Sequence, residues 1–211
     1  MTKEECRFSV IMAVYDNARE LEDNLPAFLK QVYEPGYEVV VVDESSTDNT
    51  EDVLKLFKND HPHLYSTFLP KPDRNILRRK LALTIGVKAA KNEWVILTDI
   101  HANPPSEEWL KEIAECIDST TEAMIGYYRK KGTKIQLFED VTQTRRLIWK
   151  AERKRADGHK GKRMRYLRGK YDFIVVKTSK AHELLKFFEQ KISFRRLLGL
   201  RLAVMFQNCG R

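Results

Sequence analysis

Short apolar runs alternate with amphipathic segments along the first half of the chain. Four of these runs are rich in β-branched residues and too short for helices, which predicts strands buried on both faces of a sheet. The intervening segments place apolar residues three and four positions apart, as on one face of a helix. The predicted strands are 7–14, 37–42, 64–69 and 94–97, and the predicted helices cover 21–32, 53–57, 76–90 and 109–117.

The repeated strand–helix order indicates an α/β domain. Successive strand–helix units form a parallel sheet with right-handed crossovers, flanked by helices. After Thr120 the pattern is weaker. It predicts strands at 123–128 and 171–176, helices at 137–155 and 181–191, and a basic loop at 157–170.

The end of the chain has a different character. Residues 194–206 are apolar but contain three arginines, which predicts an amphipathic helix lying on another surface. We therefore divide the chain into one α/β domain at 1–191 and a basic amphipathic tail at 192–211.

Length and cysteine usage narrow the class of protein. The 211 residues fit one domain. Cys6, Cys116 and Cys209 are far apart and form no C-x-x-C pair, which favours a reducing compartment over a disulfide scaffold or a structural zinc site. No apolar signal region or 18-residue apolar run is present, so we expect a cytoplasmic location.

Positive charge is concentrated in one stretch. The chain carries a net charge of +8, but residues 129–170 contain 16 Lys and Arg against four acids, a local net charge of +12. The remainder is slightly acidic. A phosphate-bearing substrate, a nucleic acid or an anionic membrane surface is the expected kind of partner, and a merely solvated surface is an equal alternative.

Chemically useful side chains follow three of the predicted strands. Tyr15 follows the first strand, Asp43 and Glu44 follow the second, and Asp99 and His101 follow the fourth. In open α/β sheets, ligands bind at the carboxyl ends of the strands. Side chains two residues apart on an extended chain point the same way, so Asp99 and His101 can share one cation.

The motifs resemble those of glycosyltransferase family 2, which has the GT-A fold. The loop Asp43-Glu44-Ser45-Ser46-Thr47-Asp48-Asn49-Thr50 looks like the family's Asp-Asp-x-Ser-x-Asp-x-Thr pattern, with Glu44 for the second Asp. Asp99-Ile100-His101 looks like its Asp-x-Asp motif, with His101 for the second Asp. The likeness is strong from about Arg7 to Leu110 and absent beyond Lys191.

The resemblance implies a role for each matching residue. It implies transfer of a sugar from a nucleoside-diphosphate sugar, preferably a UDP-sugar, to a saccharide or lipid-linked hydroxyl, with inversion. The bound cation would be Mn²⁺ or Mg²⁺, and an imidazole ligand favours Mn²⁺. By this resemblance, Ala13 and Tyr15 line the base, Asp43 and Glu44 contact the uracil or ribose, Arg79 or Lys80 lies near the base or diphosphate, and Asp99 and His101 hold the catalytic metal.

Each of these residues also has a structural interpretation. Tyr15 can simply pack at a strand end, and Asp43 can cap a turn. Asp48 and Thr50 are expected to cap a helix rather than take part in chemistry. The imidazole of His101 can hydrogen-bond to backbone. Arg79 and Lys80 can form an exposed helix face.

No general base is assigned. An inverting transferase needs a group that takes the acceptor's proton, and the acids after residue 170 are isolated, with Asp172 and Glu189 as weak candidates. The alternative function is therefore a degenerate GT-A binding module, with its basic stretch docked on nucleic acid or a membrane surface. For a transferase we expect peripheral contact with the inner face of the membrane, and nucleic acid is the least expected partner. A nucleotidyltransferase is disfavoured because Tyr15-Asp16-Asn17 is not a Gly-rich, basic first loop.

Overall fold

A computed structural model describes residues 6–70, 78–117, 121–129, 173–181 and 202–208. Strands and helices alternate through the first 115 residues, as the apolar pattern predicts. The strands are β1 (Phe8–Val14), β2 (Tyr37–Asp43), β3 (Leu64–Phe68), β4 (Trp94–Thr98), β5 (Ala123–Arg129), β6 (Phe173–Lys177) and β7 (Leu202–Asn208). The helices are α1 (Ala18–Leu29), α2 (Thr50–Asp60), α3 (Arg78–Ala89) and α4 (Trp109–Glu115).

The strands form a single mixed sheet in the order β3-β2-β1-β4-β6-β5-β7. β1 pairs in parallel with both β2 and β4, and β2 pairs in parallel with β3. β6 runs antiparallel to β4 and β5, and β7 pairs in parallel with β5. The prediction of a mostly parallel α/β sheet is confirmed.

Helices cover both faces of the sheet. Alternate residues of a strand point to opposite faces, so β1 supplies Phe8, Val10 and Met12 to one core cluster and Ile11 and Ala13 to the other. The first cluster is closed by α1, α2 and α4, and the second by α3. Because both faces of the sheet are covered, the central strands consist of nearly continuous apolar residues. This pattern made the strands recognisable in the sequence.

Gly86 lets α3 pack closely against β1. A Cβ atom added at this position would collide with Cγ2 of Ile11 in the middle of β1. The absence of a side chain therefore sets how near the helix lies to the sheet. This packing places the first turn of α3, with its basic residues, beside the carboxyl ends of the strands.

The prediction of an amphipathic helix at 194–206 is wrong for residues 202–206, which belong to the edge strand β7. Leu202 to Phe206 are five consecutive apolar residues, a run that cannot lie on one face of a helix. As a strand, the run pairs its backbone with β5 on one side. The arginines that suggested a helix precede the strand and lie outside the described residues.

Several predictions fall largely or wholly outside the described residues. These are the helices at 137–155 and 181–191, the basic loop at 157–170 and the boundary between residues 191 and 192. The division into a 1–191 domain and a 192–211 tail therefore stays a prediction. Among the described residues, no helix has the length and apolar character needed to cross a membrane.

Candidate active site

Three parallel strands end side by side at one edge of the sheet. Val14 at the end of β1 pairs with Asp43 at the end of β2, and Met12 pairs with Thr98 at the end of β4. The N–H of Glu44 donates to the carbonyl of Val14 at 2.8 Å, which continues the pairing one residue beyond β2. The loops that carry the predicted site residues therefore start from one edge.

The loops after β1 and β2 are joined by hydrogen bonds that the sequence did not reveal. The backbone N–H of Thr47 donates to Oδ1 of Asp16 at 2.7 Å. Asp16 itself has a φ of +48°, in the left-handed region that Asp tolerates better than most residues. Three successive N–H groups donate in the opposite direction: Asp16 to Oγ of Ser46 at 2.9 Å, Asn17 to Oγ1 of Thr50 at 3.1 Å, and Ala18 to Oδ2 of Asp48 at 3.0 Å.

Asp48 joins the beginnings of two helices. Its Oδ2 accepts from the N–H of Ala18, the first residue of α1, and its Oδ1 accepts from the N–H of Thr50, the first residue of α2, at 3.0 Å. Slight burial raises the pKa of Asp48, but the hydrogen bonds from Thr50 and Ala18 outweigh it and lower the pKa. The capping role expected of Asp48 is confirmed and extends to a second helix.

Asp43 and Glu44 are nearly buried at the base of this edge. Oδ1 of Asp43 accepts from the backbone N–H of Ser46 at 2.9 Å and from its hydroxyl at 2.5 Å, so the expected turn-capping role is present. Burial raises the pKa of Glu44, while the charges of Arg79 and Arg78 oppose that rise. Carboxylates at this edge can accept hydrogen bonds from a base or a ribose.

Tyr15 presents an aromatic face to solvent beside an arginine. The residue is 49% exposed, and Cζ of Arg78 lies 5.8 Å from the ring centroid, within cation–π distance. The guanidinium of Arg78 also donates to the backbone carbonyl of Glu44. Arg78 thus connects the start of α3 to the loops after β1 and β2, and its positive charge lies beside an exposed ring.

Asp99 lies between an arginine and a histidine. Its Oδ2 is 2.5 Å from Nη2 of Arg79, and its Oδ1 is 3.9 Å from Nε2 of His101. The backbone N–H of His101 donates to the same Oδ1 at 3.1 Å. The two predicted metal ligands are therefore on the same side of the chain, next to a cationic group.

Asp99 and His101 come together for a different reason from the one the sequence suggested. We expected an extended chain, but β4 ends at Thr98 and the backbone turns at Ile100 and His101. Ile100 is buried in the core and anchors this turn. The hydrogen bond from the His101 N–H to the Asp99 carboxylate closes the turn and brings the imidazole beside it.

The donor set fits a divalent cation that is completed by a ligand. Within the parts of the chain that the structure describes, no three His, Cys, Asp or Glu side chains are grouped closely enough to hold a metal. Asp99 and His101 can supply two ligands. Cations that work on phosphate esters are commonly held by one or two protein carboxylates plus the substrate's phosphates, so the pair fits a cation shared with a diphosphate.

The positions of the remaining predicted site residues give less information about a ligand-binding role. Ala13 is buried in the core beneath the site. Lys80 is half-buried in the first turn of α3, where its carbonyl accepts a hydrogen bond from the hydroxyl of Thr84. Asp172 and Glu189 lie outside the described residues. We did not single out Arg78, because three successive basic residues gave no indication of which one faces the loops.

Together, the sheet order and the helices on both faces define an α/β domain of GT-A type, with acids at the strand ends. The chain belongs to glycosyl transferase family 2, whose family model matches residues 9–173. The resemblance in the motifs is thereby confirmed at the level of family and fold.

The individual relatives share little sequence identity with this chain. Poly-beta-1,6-N-acetyl-D-glucosamine synthase of Staphylococcus epidermidis is 29% identical over 92 residues, which are 43% of this chain and 21% of that protein. The chain therefore spans about a fifth of the curated relatives it matches.

Two solved structures share the fold over nearly the whole chain. The mannosyltransferase PcManGT from Pyrobaculum calidifontis, in complex with GDP-Man and Mn²⁺, superposes with a TM-score of 0.60 at 21% identity, covering 96% of this chain and 57% of that one. The structure of S. aureus TarS residues 1–349, in complex with UDP-GlcNAc, superposes with a TM-score of 0.64 at 19% identity. The match covers 97% of this chain and 59% of that one. At such low identity the likeness shows the fold alone.

Proposed function

We propose that this protein transfers a sugar from a nucleoside-diphosphate sugar to a hydroxyl of a saccharide or lipid-linked saccharide. The observation that carries the proposal is the grouping of Tyr15, Asp43, Arg79, Asp99 and His101 at one sheet edge. Membership of glycosyl transferase family 2 supports it. The relatives' names support a sugar-polymer product and a nucleotide-sugar donor.

The loops after β1 and β2 are proposed to bind the nucleoside. The exposed ring of Tyr15 offers a stacking surface for a base. Asp43 and Glu44 offer acceptors for the base or ribose hydroxyls. Uridine is the preferred nucleoside because the TarS structure holds UDP-GlcNAc, although the PcManGT structure holds GDP-Man.

The other side of the edge is proposed to bind the diphosphate. Asp99 and His101 would hold Mn²⁺ or Mg²⁺, which supplies Lewis-acid stabilisation of the charge on a departing diphosphate. The PcManGT complex with Mn²⁺ supports a divalent cation. Arg79 and Lys80 add positive charge from the first turn of α3, and a planar guanidinium can bond two phosphate oxygens at once.

The proposed reaction is a single displacement. The acceptor oxygen forms a bond to the anomeric carbon as the bond from that carbon to the diphosphate oxygen breaks, which inverts the configuration. The electron pair leaves with the diphosphate, and the acceptor proton passes to a general base. Asp172 and Glu189 stay the candidates for that base.

Product analysis tests this proposal. The protein is incubated with UDP-GlcNAc, UDP-glucose or GDP-mannose, Mn²⁺ and oligosaccharide acceptors, and nucleoside diphosphate and glycoside are quantified. We expect a glycoside of inverted anomeric configuration by NMR, and its loss in Asp99→Asn. If no donor is consumed, and the protein instead binds polyanions with an affinity that falls steeply with salt, the binding-module alternative is favoured.

A further inference from the structure

Both oxygens of the Asp99 carboxylate are engaged by groups of this chain. Oδ2 is 2.5 Å from Nη2 of Arg79, a short charge-assisted contact, and Oδ1 accepts the N–H of His101. The side chains of Asp99 and Arg79 are 35% and 54% exposed, so solvent and ligands reach both. The protein therefore supplies its own cation to the carboxylate expected to bind a metal.

Arg79 also lies in the field of a second acid. Its charge is the strongest influence opposing the rise that burial causes in the pKa of Glu44. The side chain is long, half-exposed and located in the first turn of α3, so its head group can move without disturbing the core. Arg79 is thus positioned near both Asp99 and Glu44.

We propose that Arg79 is a placeholder for the divalent cation. In the nucleotide-free protein it neutralises Asp99, and it transfers to the diphosphate when donor and cation bind. The inference rests on the proposed function. A cation would bind carboxylate oxygen at about 2.1 Å, and a guanidinium bonded to the same carboxylate opposes this because both groups are positive. A diphosphate gives the guanidinium an alternative anionic partner.

The contact between Arg79 and Asp99 couples the binding of the divalent cation to the binding of the diphosphate. While Arg79 occupies Asp99, only the fraction of protein with a free carboxylate can bind the cation, and the apparent affinity for the cation falls by that fraction. A diphosphate that draws Arg79 away removes this cost. Because coupling is reciprocal, the cation must strengthen the binding of the diphosphate by the same factor.

The test is titration of Mn²⁺ followed by electron paramagnetic resonance, with and without saturating UDP. Without nucleotide, we expect Arg79→Gln to bind Mn²⁺ about 10-fold more tightly than the unaltered protein, within the usual range of coupling between sites. We also expect the strengthening of Mn²⁺ binding by UDP to shrink by a similar factor. Arg79→Lys, which keeps the charge but has a shorter side chain with a single donor group, should fall between the two.

A neighbouring arginine provides the matched control. Arg78→Gln removes the same charge one residue away, but Arg78 contacts Tyr15 and the carbonyl of Glu44 rather than Asp99. If Arg78→Gln strengthens Mn²⁺ binding as much as Arg79→Gln does, the effect is general electrostatics and the placeholder is wrong. Thermal melting verifies folding, and if Arg79→Gln does not fold, Arg79→Lys carries the test alone.

The outcomes separate this inference from the proposed function. If the unaltered protein binds neither Mn²⁺ nor UDP, the proposed function fails. If it binds both with positive coupling, and Arg79→Gln binds Mn²⁺ equally or more weakly, the placeholder fails while the proposed function stands.

Discussion

The carboxylate of Asp48 accepts a hydrogen bond from the backbone N–H of Ala18, thirty residues earlier in the chain, at 3.0 Å. The same carboxylate accepts the N–H of Thr50. The first turns of α1 and α2 are therefore held by one side chain, and the loop that carries Tyr15 is fixed to the loop that carries Asp43. The acidic motif after β2 acts in part as a joint between two loops.

Asp48→Ala is expected to lower the free energy of unfolding by about 1–2 kcal/mol, since it removes an acceptor from two helix beginnings. Urea unfolding measures this loss. Hydrogen exchange at the Ala18 and Thr50 amides should accelerate as well, because both lose their acceptor. Asp48→Asn, which retains one acceptor oxygen, should lose less.

Asp23→Ala is the matched control for this change. Asp23 is exposed on α1, where its nearest cationic partner, Arg19, is 3.9 Å away. Exposed pairs of this kind contribute little, so we expect a change below about 0.5 kcal/mol. Equal losses for Asp48→Ala and Asp23→Ala would contradict the role of Asp48 as a joint.

Tyr15→Ala is expected to weaken UDP binding by about 5- to 150-fold, because stacking of a base on an aromatic ring contributes about 1–3 kcal/mol. Tyr15→Phe preserves the ring and should bind nearly as well. Calorimetry with UDP and Mn²⁺ measures both variants. The side chain is half exposed, so the thermal midpoint of Tyr15→Ala should hardly change. Equal UDP affinity for Tyr15→Ala and the unaltered protein would remove Tyr15 from the site.

Gly86→Ala is expected to destabilise the protein by about 1–3 kcal/mol, because the added methyl group meets Cγ2 of Ile11 in a packed core. Ile11→Ala removes that group but leaves a cavity. In the double variant the methyl group occupies part of the cavity, so the combined loss should be smaller than the sum of the single losses. Denaturant unfolding of the two single variants and the double variant measures these losses of stability. If the loss in the double variant equals the sum of the single losses, Gly86 and Ile11 are not in direct contact.

His63 is expected to make the stability of the protein sensitive to mild acid. Burial lowers the pKa of its imidazole, and the charge of His61 lowers it further, although the carbonyl of Leu29 at 3.2 Å acts in the opposite direction. The unfolded chain therefore binds this proton more readily than the folded one. The stability contributed by neutral His63 is complete above the ordinary pKa near 6.5 and declines as the pH falls below it.

Urea midpoints measured between pH 7.5 and 5.5 check this sign. The unaltered protein should lose more stability over that interval than His63→Gln, which carries no titrating group. His61→Gln should lie between them, since it removes only a neighbouring charge. If the urea midpoint falls equally with pH in the unaltered protein and in His63→Gln, another group governs the loss of stability in acid.

The sequence predicts the central strands well because burial on both faces leaves an uninterrupted apolar run, as in Val39 to Val42. It also predicts which residues meet at the sheet edge, because parallel strands end on the same side. The reasoning from apolar runs was not applied at Leu202 to Phe206, where a short apolar run preceded by arginines was interpreted as part of an amphipathic helix. A run of that length indicates burial but does not distinguish strand from helix.

Side-chain partnerships across the loops could not be predicted. The hydrogen bonds of Asp16 and Asp48 depend on how two loops face each other, and their sequence positions carry no sign of this. The contact between Arg79 and Asp99 similarly depends on the angle at which α3 packs over Gly86. For the same reason, we could not tell which basic residue at the start of α3 reaches Tyr15 and which reaches Asp99.

The central claim is that Asp99 helps to bind a nucleoside diphosphate through a shared divalent cation. Calorimetric titration of UDP in the presence and absence of Mn²⁺, on the unaltered protein and on Asp99→Asn, tests it most directly. We expect one UDP to bind per chain, with Mn²⁺ required for tight binding and the affinity reduced at least about 10-fold in the variant. UDP binding that is indifferent to both Mn²⁺ and Asp99→Asn, or no UDP binding at all, would contradict it.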